Sequence, residues 1–238
     1  MHFSSQTRIG DIVLENPGTM RLFESRNIDY CCGGHRSLAE ACAQAGVAVE
    51  EMLPRLAELE APAAAPLDPA TLAAGSLTDL IAHIEATHHT FTRDELGRVA
   101  PLMEKVARVH GPNHPELVRV GRLFESLRAD LMPHLEKEEQ ILFPYIRKLE
   151  AGASTCDACF GTVRGPIAVM QSEHEAAGEI LREIRELTHD FTLPEDACGS
   201  FRSLYLGLRS LEEDLHLHIY LESHILFPNA TALEERHA

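Results

Sequence analysis

The sequence predicts an all-α protein: an antiparallel four-helix bundle preceded by a small helical domain. Three observations predict it. Apolar residues recur at helical spacing over long segments, with almost no strand signal. The connections between these segments are short and rich in Gly, Pro, Asn or Ser, so neighbouring helices must reverse direction. Finally, one pattern occurs twice in the second half of the chain, as a duplicated helical hairpin would give.

From the N-terminus, Pro17 suits a first helical turn, and Leu22 and Phe23 follow it. Ser37 can cap a helix through Leu38 and Ala41 that stops at Gly46. Met52, Leu53, Leu56 and Leu59 mark a third helix. Residues 1–60 thus make a small helical domain of marginal size, which must lean on its neighbour or on a partner. Residues 61–75 read as a Pro/Ala linker, because 61–70 hold three prolines and no apolar periodicity. The bundle occupies 76–238, with helices over about 76–109, 116–149, 166–188 and 195–236.

Composition narrows the function. Lys and Arg total 21 against 37 Asp and Glu, a formal charge of −16, which argues against nucleic acid as a partner. No apolar run reaches the roughly 18 residues of a membrane span, and the first twenty residues lack the apolar core of a signal peptide. Six cysteines in such a chain are expected to be reduced, which places the protein in the cytoplasm. The unusual count is histidine, at 14.

Asp130-Leu-Met-Pro-His-Leu-Glu-Lys-Glu-Glu-Gln-Ile-Leu-Phe-Pro144 aligns with Asp214-Leu-His-Leu-His-Ile-Tyr-Leu-Glu-Ser-His-Ile-Leu-Phe-Pro228 at an offset of 84. Each copy carries His-x-x-x-Glu, at His134/Glu138 and His218/Glu222. Residues four apart share a helix face, and apolar neighbours place that face beside the core. A carboxylate buried among imidazoles needs a compensating charge, which a metal supplies. Nitrogen and oxygen donors without thiolate suit iron or manganese better than structural zinc. Upstream, His174 on the third helix and one of His88 or His89 on the first complete a set of four His and two Glu. If both carboxylates bridge, each of two metals receives two nitrogens and two oxygens, leaving about two octahedral positions for a bridging oxygen and a small ligand.

A single His-x-x-x-Glu pair is commonly a surface contact, and it is the duplication that points to metal. On the first helix, periodicity prefers His88 over His89 without deciding between them. A ferritin-like reading of Glu85-Ala-Thr-His88 and Glu213-Asp-Leu-His216 is disfavoured, since these copies do not align in the repeat. Glu173 and Asp130 are candidate partners for ring nitrogens of the ligating histidines. Glu139 reads as solvated charge, and Cys42 and Cys198 as packing residues.

Tyr30-Cys31-Cys32-Gly33-Gly34, the linker and the bundle with Lys137-Glu-Glu-Gln-Ile-Leu-Phe-Pro144 together resemble the RIC family, proteins associated with repair of iron centres. That resemblance implies a hemerythrin-like bundle and two iron ions per chain, oxo- or hydroxo-bridged. The ligands it implies are His89, His134, Glu138, His174, His218 and Glu222. The implied function is repair of iron–sulfur clusters damaged by nitrosative or oxidative stress. Iron donation is favoured, and nitric oxide reduction is an enzymatic option. Damaged iron–sulfur proteins would be the partners, nitric oxide or dioxygen the small ligand, and a homodimer is left open. The alternative is a hemerythrin-like oxygen or nitric oxide binding or sensing protein without catalysis.

The same resemblance implies a working role for Cys31 and Cys32. They are expected as thiolates at a helix N-terminus, made accessible by Gly33 and Gly34. Cys156-x-x-Cys159 supplies only two of a zinc site's four ligands, and it reads at least as well as a pair of exposed loop thiols as it does as a redox pair. The bundle holds all six implied ligands, so it is expected to bind iron without residues 1–60.

Overall fold

The structure, a computed structural model, describes residues 3–59, 69–152 and 161–237. Among these residues there is no strand, only an isolated antiparallel bridge between Arg8 and Ser37. No helix among them is long and apolar enough to cross a membrane. Most of the expected linker and the Cys156-x-x-Cys159 pair lie outside the described residues.

The chain divides into two compact units, Met1–Ile81 with His216–Ala238, and Ala82–Leu215. The first contains α1 (Ile9–Glu15), α2 (Thr19–Glu24), α3 (Leu38–Gln44) and α4 (Val49–Glu58). Ser37 caps α3 as expected: its hydroxyl accepts the Glu40 N–H, and the Glu40 carboxylate accepts the Ser37 N–H at 2.9 Å. α5 (Pro69–Ala74) occupies part of the expected linker. Its alanines favour helix, and Pro69 stands at the first position, where a missing N–H costs nothing.

Three long helices each contain one widened, π-helical turn. α6 (Leu77–His83) passes through 84–89 into α7 (Thr90–His110). α8 (Glu116–Lys137) passes through 138–142 into α9 (Phe143–Glu150). α10 (Arg164–Leu187) has no such turn, and α11 (Gly199–Tyr220) passes through 221–226 into α12 (Phe227–His237).

In the second unit, α7, α8, α10 and α11 surround one core, the helical bundle expected. Phe124, Leu127, Phe201, Leu204 and Leu211 are fully buried in it. The five residues 111–115 between α7 and α8 are too few for anything but a reversal. Arg185 on α10 reaches Glu212 on α11 with Nε at 2.9 Å and Nη2 at 2.6 Å, and Glu212 is only 2% exposed. Arg185→Ala would leave that carboxylate buried without its guanidinium. A loss of about 3 kcal/mol is expected in urea unfolding. Arg119→Ala, which breaks the exposed pair with Glu183, is expected to leave the urea midpoint almost unchanged.

The first unit joins sequence-distant residues. Ile9, Ile12, Val13, Phe23 and Leu38 are fully buried, as are Tyr220, Leu221 and Leu226. The Tyr220 hydroxyl donates to the Gly10 carbonyl at 2.8 Å. Sixty residues bury too little surface alone, and here residues 216–238 supply the rest.

Candidate metal centre

In the second unit, three histidines converge on one carboxylate. His89 and His134 each place Nε2 3.4 Å from the same oxygen of Glu138. His174 Nε2 stands 3.1 Å from His134 Nε2. All four side chains are at least 97% buried. Each ring is held from behind. His89 Nδ1 lies 2.8 Å from Glu139, whose carboxylate also accepts a two-pronged contact from Arg93. His134 Nδ1 lies 2.8 Å from Glu173, which is paired with Lys137. Phe143 stacks on the His89 ring at 5.6 Å.

Electrostatics fixes which nitrogen faces inward. Burial raises the Glu139 carboxyl, but Arg93 and His89 outweigh it and hold it below the usual range. Lys137 and His134 do the same for Glu173. These ionised carboxylates accept hydrogen bonds from the Nδ1–H groups, so the Nε2 lone pairs of His89 and His134 point at Glu138. Lone pairs facing a buried carboxylate oxygen repel unless a proton or cation lies between them. Two donors on one metal at about 2.1 Å are about 3 Å apart, close to the 3.1–3.4 Å found here. The residues fit a cation of the iron class.

The other copy of the repeat belongs to the first unit. His218 Nε2 is 3.1 Å from Glu222 Oε1, and both side chains are at least 98% buried. The backbone around the two glutamates is the same. Phe143 N–H reaches back five residues to the Glu138 carbonyl, and Phe227 N–H to that of Glu222. The Ile-Leu-Phe-Pro motif accounts for this. Pro144 and Pro228 lack the N–H that an α-turn would use, and their rings crowd the carbonyl four residues back, so the turn widens.

His88 has a different surrounding from His89. Its Nδ1 is 2.9 Å from Asp214, and its ring meets His83 edge-on. A π-turn advances each residue by less than the α-helical 100°, so by the end of residues 84–89 the inward face has slipped along the sequence. Uniform periodicity therefore favours the wrong neighbour of Glu138. The same distortion brings Glu139 to His89, although the sequence suggested plain surface charge. Of the two candidate ring partners, Glu173 holds His134 and Asp130 is exposed.

The thiol loop departs from expectation. Cys31 and Cys32 do not open a helix: α3 begins six residues after Cys32, at Leu38. Cys31 is buried, its thiol donates to Asp29 at 3.2 Å, and Asp29 also accepts the Cys32 N–H at 2.9 Å. The hydrogen bond with Cys32, burial and the Asp29 charge push the Cys31 thiol well above its usual range. These surroundings favour the thiol over the thiolate at Cys31. The two thiol sulfurs and one carboxylate oxygen of Asp29 fall within 4.8 Å of one another. The glycines serve close packing: a Cβ on Gly34 would strike the His224 ring. His224 Nε2 lies 2.7 Å from the Cys31 carbonyl.

Residues 79–230 match the family described as hemerythrin HHE cation binding domain. Residues 5–60 match a domain of unknown function, DUF542. Over 228 residues the chain is 36% identical to the iron-sulfur cluster repair protein YtfE of Salmonella paratyphi B, covering 95% of this chain and 97% of that one. Proteins of the same description from Salmonella newport and Salmonella heidelberg match to the same extent.

Proposed function

The chain belongs to the hemerythrin HHE cation-binding family, and from that premise we propose that it repairs iron–sulfur clusters damaged by nitrosative or oxidative stress. Its six ligands would be His89, His134, Glu138, His174, His218 and Glu222, which would hold two irons. Bound there, the iron pair would supply redox chemistry, an open position for nitric oxide or dioxygen, and iron for donation. The protein's own contribution is to keep the imidazoles aimed and the site dry. Glu139 and Glu173 hold the Nδ1 protons, while Phe143 and the core exclude water.

The observation that carries repair over simple gas binding is the seat of the thiol loop. His224, two residues beyond Glu222, donates to the Cys31 carbonyl, so Cys31 and Cys32 rest against the turn that carries a ligand. A carrier or sensor has no use for thiols there. Reduced thiols also suit a cytoplasmic setting. Because Cys31 is buried, the loop would have to open before its sulfur binds iron or a nitrosyl.

The test is recovery of a nitrosylated iron–sulfur dehydratase after addition of the iron-loaded protein. Wild type should restore most activity. Cys31→Ala with Cys32→Ala is expected to keep its iron and lose most of the repair. Full repair by the double variant would make the thiol loop an accessory. No repair by wild type would leave an iron-binding protein of another purpose.

A further inference from the structure

A second cluster of metal-ligating side chains lies in the Ala82–Leu215 unit, at the far end of α7. The 21 residues of α7 put about 30 Å of helix between His89 and His110. There, α7 ends at His110, and the short loop to α8 contains His114. Asp196 and Cys198 belong to the turn that leads into α11. His110 Nε2 is 3.3 Å from Cys198 Sγ, and His114 Nε2 is 2.9 Å from Asp196 Oδ1. One donor atom from each of His110, His114 and Asp196 falls within 4.8 Å of the others. Phe201, fully buried, lies against both rings, with centroids 5.1 and 5.5 Å away, and fixes their positions.

Two features set this cluster apart from a chance surface grouping. The first is His114, which faces carboxylates at both nitrogens: Asp196 at Nε2 and Glu116 at Nδ1, the latter at 3.1 Å. A neutral imidazole carries one N–H and satisfies only one of them. Either the ring takes a second proton, or a cation lies between Nε2 and Asp196. The second is Cys198. It is exposed, contrary to the packing role expected from the sequence. Its sulfur accepts the Phe201 N–H at the start of α11 and stands beside the His110 ring nitrogen, so the thiol is held facing the cluster.

We propose that His110, His114 and Asp196 hold a divalent cation of the zinc class, with Cys198, which touches His110, closing in as the fourth ligand and Glu116 orienting His114. Two imidazoles, one thiolate and one carboxylate are donors for tetrahedral zinc, whereas magnesium and calcium take all-oxygen shells. Glu116 stands where a ligating histidine's outer N–H normally finds its carboxylate. Binding displaces the Cys198 thiol proton to solvent.

Cobalt(II) is the probe, added to the iron-loaded full chain. One further cobalt per chain is expected, with tetrahedral visible bands and a near-ultraviolet thiolate-to-cobalt band, while the iron content stays constant. Cys198→Ser, at an exposed position that tolerates serine, should abolish the near-ultraviolet band. His110→Ala with His114→Ala should abolish uptake. Glu116→Gln should weaken affinity by about 10–100-fold without moving the bands. Absence of a further cobalt would overturn the proposal and leave His114 as an imidazolium held by two carboxylates. A near-ultraviolet band that survives Cys198→Ser would overturn it equally, by placing the metal on another thiol.

Discussion

A chain carrying Glu138→Ala is expected to emerge from aerobic purification with almost no iron, against the two per chain proposed for wild type. Both His89 and His134 aim at this one carboxylate oxygen, so its loss removes the group around which the half-site is arranged. Glu139 cannot replace it, since its oxygens are committed to His89 Nδ1 and Arg93. His218→Ala should behave in the same way. Iron assay of the purified variants measures the effect, and two irons retained in both would sink the proposed ligand set. Glu138→Gln separates ligation from folding. It removes a fully buried charge without opening a cavity, so the metal-free variant should be at least as stable to urea as metal-free wild type.

The neighbouring histidines should differ almost as sharply. His89→Leu is expected to abolish the iron optical spectrum, because it deletes the nitrogen facing Glu138. His88→Leu should keep the spectrum and pay only in stability, about 1–3 kcal/mol, for the Asp214 carboxylate left without its imidazole. Loss of the spectrum only in His88→Leu would reverse the assignment.

Much of this centre is legible in the residue pattern. The constant offset of 84 singles out His134, Glu138, His218 and Glu222, because helical i,i+4 spacing survives as long as both residues ride the same turns. It fails where the turn itself changes. Nothing in Ile84-Glu-Ala-Thr-His-His89 announces a π-turn, so both His88 and His89 looked plausible from the pattern. Only the prolines of Ile-Leu-Phe-Pro gave a local hint of widened turns elsewhere, at Glu138 and Glu222. Tertiary facts were less visible still. Cys31 looks exposed beside two glycines, yet those glycines let His224 close over its carbonyl. Cys198 looks like a packing residue because its partner, His110, is 88 positions away.

The bond between Tyr220 and the Gly10 carbonyl spans 210 residues of sequence. On a ribosome adding about 5–20 residues per second, Gly10 waits roughly 10–40 s for that hydroxyl to be made. Throughout that interval Ile9, Ile12 and Phe23 lack the apolar surface of residues 216–238, and the Cys31-Cys32 loop lacks His224. The nascent chain thus presents two uncovered thiols and an incomplete donor set until synthesis is nearly over. Metal loading belongs after translation, and a cell under nitrosative stress would meet the growing chain at its most reactive.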